Sequence, residues 1–220
     1  MPRSSNLQRL ASLSDCVFAV AMTLLLFSVR IPDQAVSEAK LQGELLRMLG
    51  ESLGLVLSFA ITAMVWLGQV RLLNSLRHAT VGLIYLALLQ LFWIVLLPIS
   101  TSLWTRIETK ETILVMGVNL LLIHLSGLLM WLYCCGNRLF ESDAFAHPIA
   151  IELVGPIFPL VIFALSLVVT LWTSIPGNRL WWGAFATPFV VHLARAASRK
   201  VAMAEEESAF MRPPENGRRL

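Results

Sequence analysis

Arg9, Ser14 and Asp15 stand inside the first long apolar stretch of the chain, which would otherwise be nearly unbroken. A charged side chain within a membrane helix costs about 3 kcal/mol, less toward the interface. Residues retained at that cost coordinate ions, handle protons or close a polar network. Six residues at about 100° each leave Arg9 and Asp15 ~120° apart around a helix, so they do not face each other within it. They therefore reach toward other helices or another subunit. The residue types leave two roles open for Asp15: a member of a structural polar network, or a direct contact for an ion.

The remaining chemistry-bearing residues are scattered. Cys134 and Cys135 are adjacent but have no neighbouring His or Cys cluster, and with Cys16 they make no disulfide framework. They read as small apolar residues at a helix end. Asn119, His124 and His192 read as buried polar groups held by hydrogen bonds, and Glu152 as an ordinary interfacial carboxylate. Thr80-Val81-Gly82 begins like the carbonyl filter Thr-Val-Gly-Tyr-Gly, but the match fails at Leu83 and Ile84. The chain carries no Walker loop, nucleotide fingerprint or catalytic constellation, so it is expected not to be an enzyme and to have no metal site.

The elements that must position Arg9, Ser14 and Asp15 are long and apolar. Of 220 residues, 57% are hydrophobic and 14% charged, where soluble domains usually carry about 25% charge. One small core could not hide so much apolar surface, so the expected solvent is lipid. Six stretches approach the ~20 residues that span hydrocarbon as helix: 7–29, 53–73, 80–104, 113–135, 149–172 and 180–194. Ala19-Val20-Ala21 mimics a signal cleavage site, yet the apolar run continues to Val29 and Asp15 interrupts it, so a retained helix is expected. Trp181 and Trp182 read as interfacial anchors at the start of the last stretch. Residues 31–51 mix charges with leucines and read as a short amphipathic helix on the outer surface. The expectation is one transmembrane domain of six helices over 1–195 and a polar, partly disordered cytoplasmic tail over 196–220.

Net charge is +3, and the basic residues gather at the ends of apolar runs and in the tail. That is the pattern of membrane topology, so no nucleic-acid partner is expected. With the N-terminus inside, eleven of the 17 lysines and arginines fall on the inner side, which predicts a multi-pass protein with both ends cytoplasmic. On the second stretch, Ser58, Thr62, Trp66 and Gln69 share one helical face, as residues in contact with protein do.

Arg-x-x-x-Leu-Ser-Asp at 9–15, followed by Val-Phe-Ala-x-Ala-x-Thr-Leu-Leu at 17–25, resembles the opening helix of the transmembrane protein 175 (TMEM175) potassium-channel family. The family's motif has Phe where Leu13 stands. Ser58-Phe59 and Trp66 resemble its Ser-Phe…Trp-x-x-His pattern, with Gln69 in place of the His. Pro98-Ile99-Ser100-Thr101 resembles its Pro-Phe-x-Thr, and the later helices match in hydropathy alone.

The resemblance implies an all-α homotetramer of the bacterial plasma membrane whose first helices line a central pore. It also implies passive, potassium-preferring conduction, with potassium and other monovalent cations as permeants, membrane lipid as surroundings and no cofactor. Carried over, the constriction begins with a ring of Val20 and continues through Leu24 and Phe27, and Thr23 beside them either offers a side-chain oxygen to the ion or bonds the carbonyl one turn earlier. Val20 is smaller than the usual Ile or Leu, which predicts a wider constriction. Arg9, Ser14, Asp15, Trp66 and Gln69 are the implied motif and bracing network. The competing expectation is a small secondary transporter that uses Asp15 as its proton- or cation-coupling carboxylate.

Overall fold

The computed structural model describes residues 5–29, 38–107, 109–141, 149–173 and 175–210. These residues form helices α1 (Ser5–Leu24), α2 (Glu38–Asn74), α3 (Val81–Arg106) and α4 (Lys110–Gly136). A short α5 (Ile149–Glu152) leads into α6 (Val154–Trp172), and α7 is Thr187–Phe210. Two 3-10 segments, Leu25–Ser28 and Gly177–Ala186, follow α1 and precede α7. Helices satisfy their backbone groups internally, which a chain in hydrocarbon requires.

Among the described residues, five stretches are long and apolar enough to cross a membrane: Ser5–Phe27, Gln42–Asn74, Val81–Arg106, Lys110–Gly136 and Ile149–Trp172. The sixth expected span, 180–194, is a composite: most of the 3-10 segment Gly177–Ala186 and the first two turns of α7. Hydrogen bonds to α6 explain the break. Ser166 Oγ donates to the Gly177 carbonyl at 2.9 Å, Gly177 N–H donates to Thr170 Oγ1 at 3.2 Å, and Trp181 Nε1 donates to Ser166 Oγ at 2.7 Å. Trp181 is accordingly core rather than the expected interfacial anchor: it is 0% exposed and lies edge-on to Trp104, 4.9 Å between ring centroids. Trp182 is exposed and stacks on Phe185.

Two further expectations change. Residues 38–51 do not form a separate surface helix but the N-terminal turns of α2, whose 37 residues measure ~56 Å at 1.5 Å per residue, against about 30 Å of hydrocarbon. Arg47 carries the helix across its charged stretch, bonding Glu44 at 2.6 Å and Glu51 at 2.8 Å, as residues three and four apart on one face can. At the other end, α7 runs past the expected boundary at 195 to Phe210; the rest of the expected tail, 211–220, lies outside the described residues.

Packing centres on α3 and α4. One apolar cluster joins Phe18, Ile61, Ile94, Leu120 and Phe163, and a second joins Leu7, Leu10, Leu72, Leu83 and Trp131. The helix ends pair in two layers. In one, a bridge between Leu76 and Phe140 joins the α2–α3 and α4–α5 connections. In the other, an Arg106 terminal nitrogen donates to the Phe27 carbonyl at 2.7 Å and Lys110 Nζ to the Leu171 carbonyl at 3.2 Å. Thr80, at the head of the false filter motif, is the N-cap of α3 and accepts from Leu83 N–H.

Candidate functional site

Helix α1 has two unlike faces. Leu7, Leu10, Ser14, Phe18 and Ala21 recur every three or four residues and are buried against the other helices. On the other side Arg9, Ser12, Leu13, Cys16, Val20 and Thr23 form an exposed stripe. That stripe mixes a charge, hydroxyls and a thiol with aliphatic carbon, whereas the buried face is apolar except for Ser14.

All four residues of the implied constriction lie exposed. Val20 is 57% exposed, Leu24 41% and Phe27 72%. Phe27 sits on the 3-10 segment, and this keeps it in line. At three residues per turn, positions three apart eclipse one another, so Phe27 stands over Leu24 instead of drifting round the axis. Thr23 Oγ1 donates to the Val20 carbonyl at 2.8 Å, and a hydroxyl that donates once keeps two acceptor lone pairs.

Behind the stripe, two adjacent residues tie α1 to α2. Trp66 Nε1 donates to Asp15 Oδ1 at 2.8 Å, and Gln69 Nε2 donates to Ser14 Oγ at 2.8 Å. Ser14 is 2% and Gln69 5% exposed, whereas Asp15 remains exposed. The indole fixes one carboxylate oxygen while the group as a whole stays open to the stripe side. Gln69 Oε1 is buried and has no hydrogen-bond partner among the described residues. Arg9 is exposed and forms no ion pair with Asp15. Further along the same face of α2, Thr62 Oγ1 donates to the Ser58 carbonyl at 2.7 Å, and Thr101 Oγ1 on α3 donates to Ser58 Oγ at 2.9 Å. All four members of the polar stripe on α2 thus engage protein.

Of the isolated polar residues, Asn119 bonds Ser100 Oγ at 2.8 Å and His124 Nδ1 lies 2.8 Å from the Leu120 carbonyl; both are buried. His192 is exposed, not buried as its apolar surroundings in sequence suggested, because it falls on the outer face of α7. Among the described residues no three His, Cys, Asp or Glu side chains gather as metal ligands, and the three cysteines are free.

One charged cluster is not evident from the sequence. Glu152 is not an ordinary interfacial carboxylate: it is 5% exposed and accepts from Arg195 through Nε at 3.2 Å and a terminal nitrogen at 2.8 Å, with Arg71 at 3.3 Å. An acid at the head of the very apolar 149–172 stretch was the available signal, since an unpaired carboxylate there is costly.

With this geometry in place, comparison with known proteins gives a coherent result. Residues 9–98 match the family described as endosomal/lysosomal potassium channel TMEM175. A potassium channel of Chamaesiphon minutus, Cha6605_3372, is 27% identical over 184 residues, covering 79% of this chain and 90% of the relative. The crystal structure of a lysosomal potassium-selective channel TMEM175 homologue from Chamaesiphon minutus superimposes with a TM-score of 0.69 at 18% identity, over 89% of this chain and 99% of the other. A variant of the potassium channel MtTMEM175, bound to a nanobody fusion, gives 0.54 at 17% identity, over 89% and 93%. These relatives are ion channels, not enzymes. Likeness to the family is therefore established in sequence for residues 9–98 and in fold for most of the chain, a multi-pass membrane protein.

Proposed function

We propose that this chain, alike to the TMEM175 family in sequence over residues 9–98 and in fold over 89% of its length, is the subunit of a potassium-preferring cation channel. Four copies surround a central axis in the bacterial plasma membrane, with both termini in the cytoplasm, and each turns the exposed stripe of α1 inward. Val20, Leu24 and Phe27 stack as rings around the path, with Thr23 between them. Arg9, Ser14, Asp15, Trp66 and Gln69 set the tilt and rotation of the helix that carries those rings. Conduction is passive and uses no cofactor.

The observation that carries this reading is the mixed character of the uncovered α1 face. The charge at Arg9 is costly against lipid and tolerable against a water-filled path, and Ser12 and Thr23 add hydroxyls to the same exposed face. The aliphatic members of the same stripe do not coordinate ions. They narrow the path, and a hydrophobic constriction selects and gates through its diameter and its wetting. The potassium channels among the relatives support the choice of ion. The excess of lysine and arginine at the chain ends and in the 71–77, 138 and 195–200 regions supports the orientation.

Purified protein in planar bilayers under a potassium–sodium gradient provides the test. Discrete current steps reversing toward the potassium potential are expected. Saturable flux without steps, driven by a second ion, would overturn the channel and favour a carrier coupled through Asp15. Asp15→Asn separates the two again: a carrier loses its dependence on the ion gradient, whereas a channel loses assembly or alters its current.

A further inference from the structure

A cleft of about 490 Å³ opens between α2, α4, α6 and α7, away from the stripe of α1. Its walls are mostly apolar, with Leu72, Met130, Trp131, Pro159 and Val191 buried along them. One end is charged, formed by Arg71, Glu152 and Arg195. A single carboxylate there faces two guanidinium groups, so the end keeps one net positive charge. Arg71 holds Glu152 by one contact only and its side chain is 46% exposed, which leaves several of its five N–H donors unspent. Leu67, at the rim, is 57% exposed.

We propose that this cleft binds an anionic membrane phospholipid. Its phosphate sits on Arg71 and Arg195, and one acyl chain lies along the apolar wall. Charge complementarity selects the headgroup, because guanidinium meets phosphate through paired, charge-assisted hydrogen bonds. The surroundings supply the ligand, since three of the helices that line the cleft, α2, α4 and α6, are long and apolar enough to cross the bilayer. Basic pockets between membrane helices are suited to acidic headgroups in this way.

The site also reaches the conduction machinery. Gln69 lines the same cleft and donates to Ser14 beside Asp15. A lipid packed there bears on the residue that holds α1, so occupancy changes channel opening; this second step rests on the channel reading, and the binding step does not.

Native mass spectrometry of the full chain released from detergent measures the binding step, after addition of phosphatidylglycerol or phosphatidylcholine in separate samples. Retention of phosphatidylglycerol over phosphatidylcholine is expected, and Arg71→Gln weakens it roughly tenfold through loss of charge-assisted bonds. Gly68→Phe tests the space independently of charge. Gly68 lines the cleft, and a Cβ there would meet nothing within 4 Å, so a side chain has room to leave the backbone and a phenyl ring is expected to occupy the cleft and displace the lipid. Equal retention of both lipids, or unchanged retention in both variants, would overturn the site. So would a cleft closed by a second copy, read as variants that alter the subunit count instead of the lipid count. Bilayer recording then reads the second step. Wild-type current depends on phosphatidylglycerol and the Arg71→Gln current does not. Lipid retention without any current in either bilayer would leave the site standing and sink the channel.

Discussion

At the scale of single residues, the decisive pairs are Trp66 with Asp15 and Gln69 with Ser14, each at 2.8 Å. An indole N–H and an amide N–H hold their partners without titrating. Gln69→His places an ionisable ring against Ser14, and histidine is the side chain that changes charge near neutral pH. The substituted protein is therefore expected to show a steeper dependence of current on pH between about 5 and 8 than the wild type, measured in the same bilayer. On the proposed channel reading, the side chain of Val20 sets the opening of the first ring. Val20→Ile is expected to shift the reversal potential toward potassium and Val20→Ala to shift it toward zero under a potassium–sodium gradient. A reversed order would remove Val20 from the narrowest ring. Much of this site was legible beforehand, because charges and amides within apolar runs are expensive and so conspicuous. The pairing was not. Helical periodicity puts Trp66 and Gln69 on one face of α2 but does not say which residue of α1 each one meets.

At the scale of elements, α1 keeps its exposed line by tightening into a 3-10 turn at Leu25–Ser28, and Arg106 caps that turn by bonding the Phe27 carbonyl. Orphan carbonyls at a helix end need such partners. Further along, the segment Gly177–Ala186 is pinned to α6 so closely that only glycine fits at its start. A Cβ at Gly177 would lie 2.2 Å from the Ser166 carbonyl oxygen and 2.4 Å from Thr170 Oγ1. Gly177→Ala is expected to cost about 1–3 kcal/mol by overpacking, read as a lower midpoint of thermal unfolding in detergent. Gly43→Ala is the control. Its Cβ meets nothing within 4 Å, and alanine in a helix interior is favoured over glycine by roughly 0.5–1 kcal/mol, so the midpoint should hold or rise.

At the scale of the whole molecule, Arg71, Glu152 and Arg195 join the end of α2, the short α5 and the middle of α7. A buried carboxylate between two guanidinium groups is a poor source of net stability but costly to break from one side. Glu152→Gln is expected to destabilise the fold by about 3 kcal/mol. Adding Arg195→Gln should restore part of the loss, because the uncompensated charge is then removed. Strict additivity of the two changes in an unfolding titration would show that they do not interact. The proposed tetramer turns the exposed α1 stripe toward a shared axis, so light scattering of the detergent-solubilised protein, corrected for bound detergent, is expected to give four times the 24.5 kDa chain mass.

Sequence alone determined the solvent and five of the six expected spans, because transfer of charge into hydrocarbon is costly enough to leave a mark at every exception. Tertiary structure decided what depends on neighbours distant along the chain. Trp181 is core because Ser166 and Trp104 receive it, and α2 absorbs residues 38–51 as continuous helix across the charges around Arg47. Glu152 is the centre of an ion-pair cluster because α2 and α7 bring arginines to it from 81 residues before and 43 residues after. Composition records that a carboxylate is present near a membrane helix; only packing decides which charge it meets and how far both are removed from water.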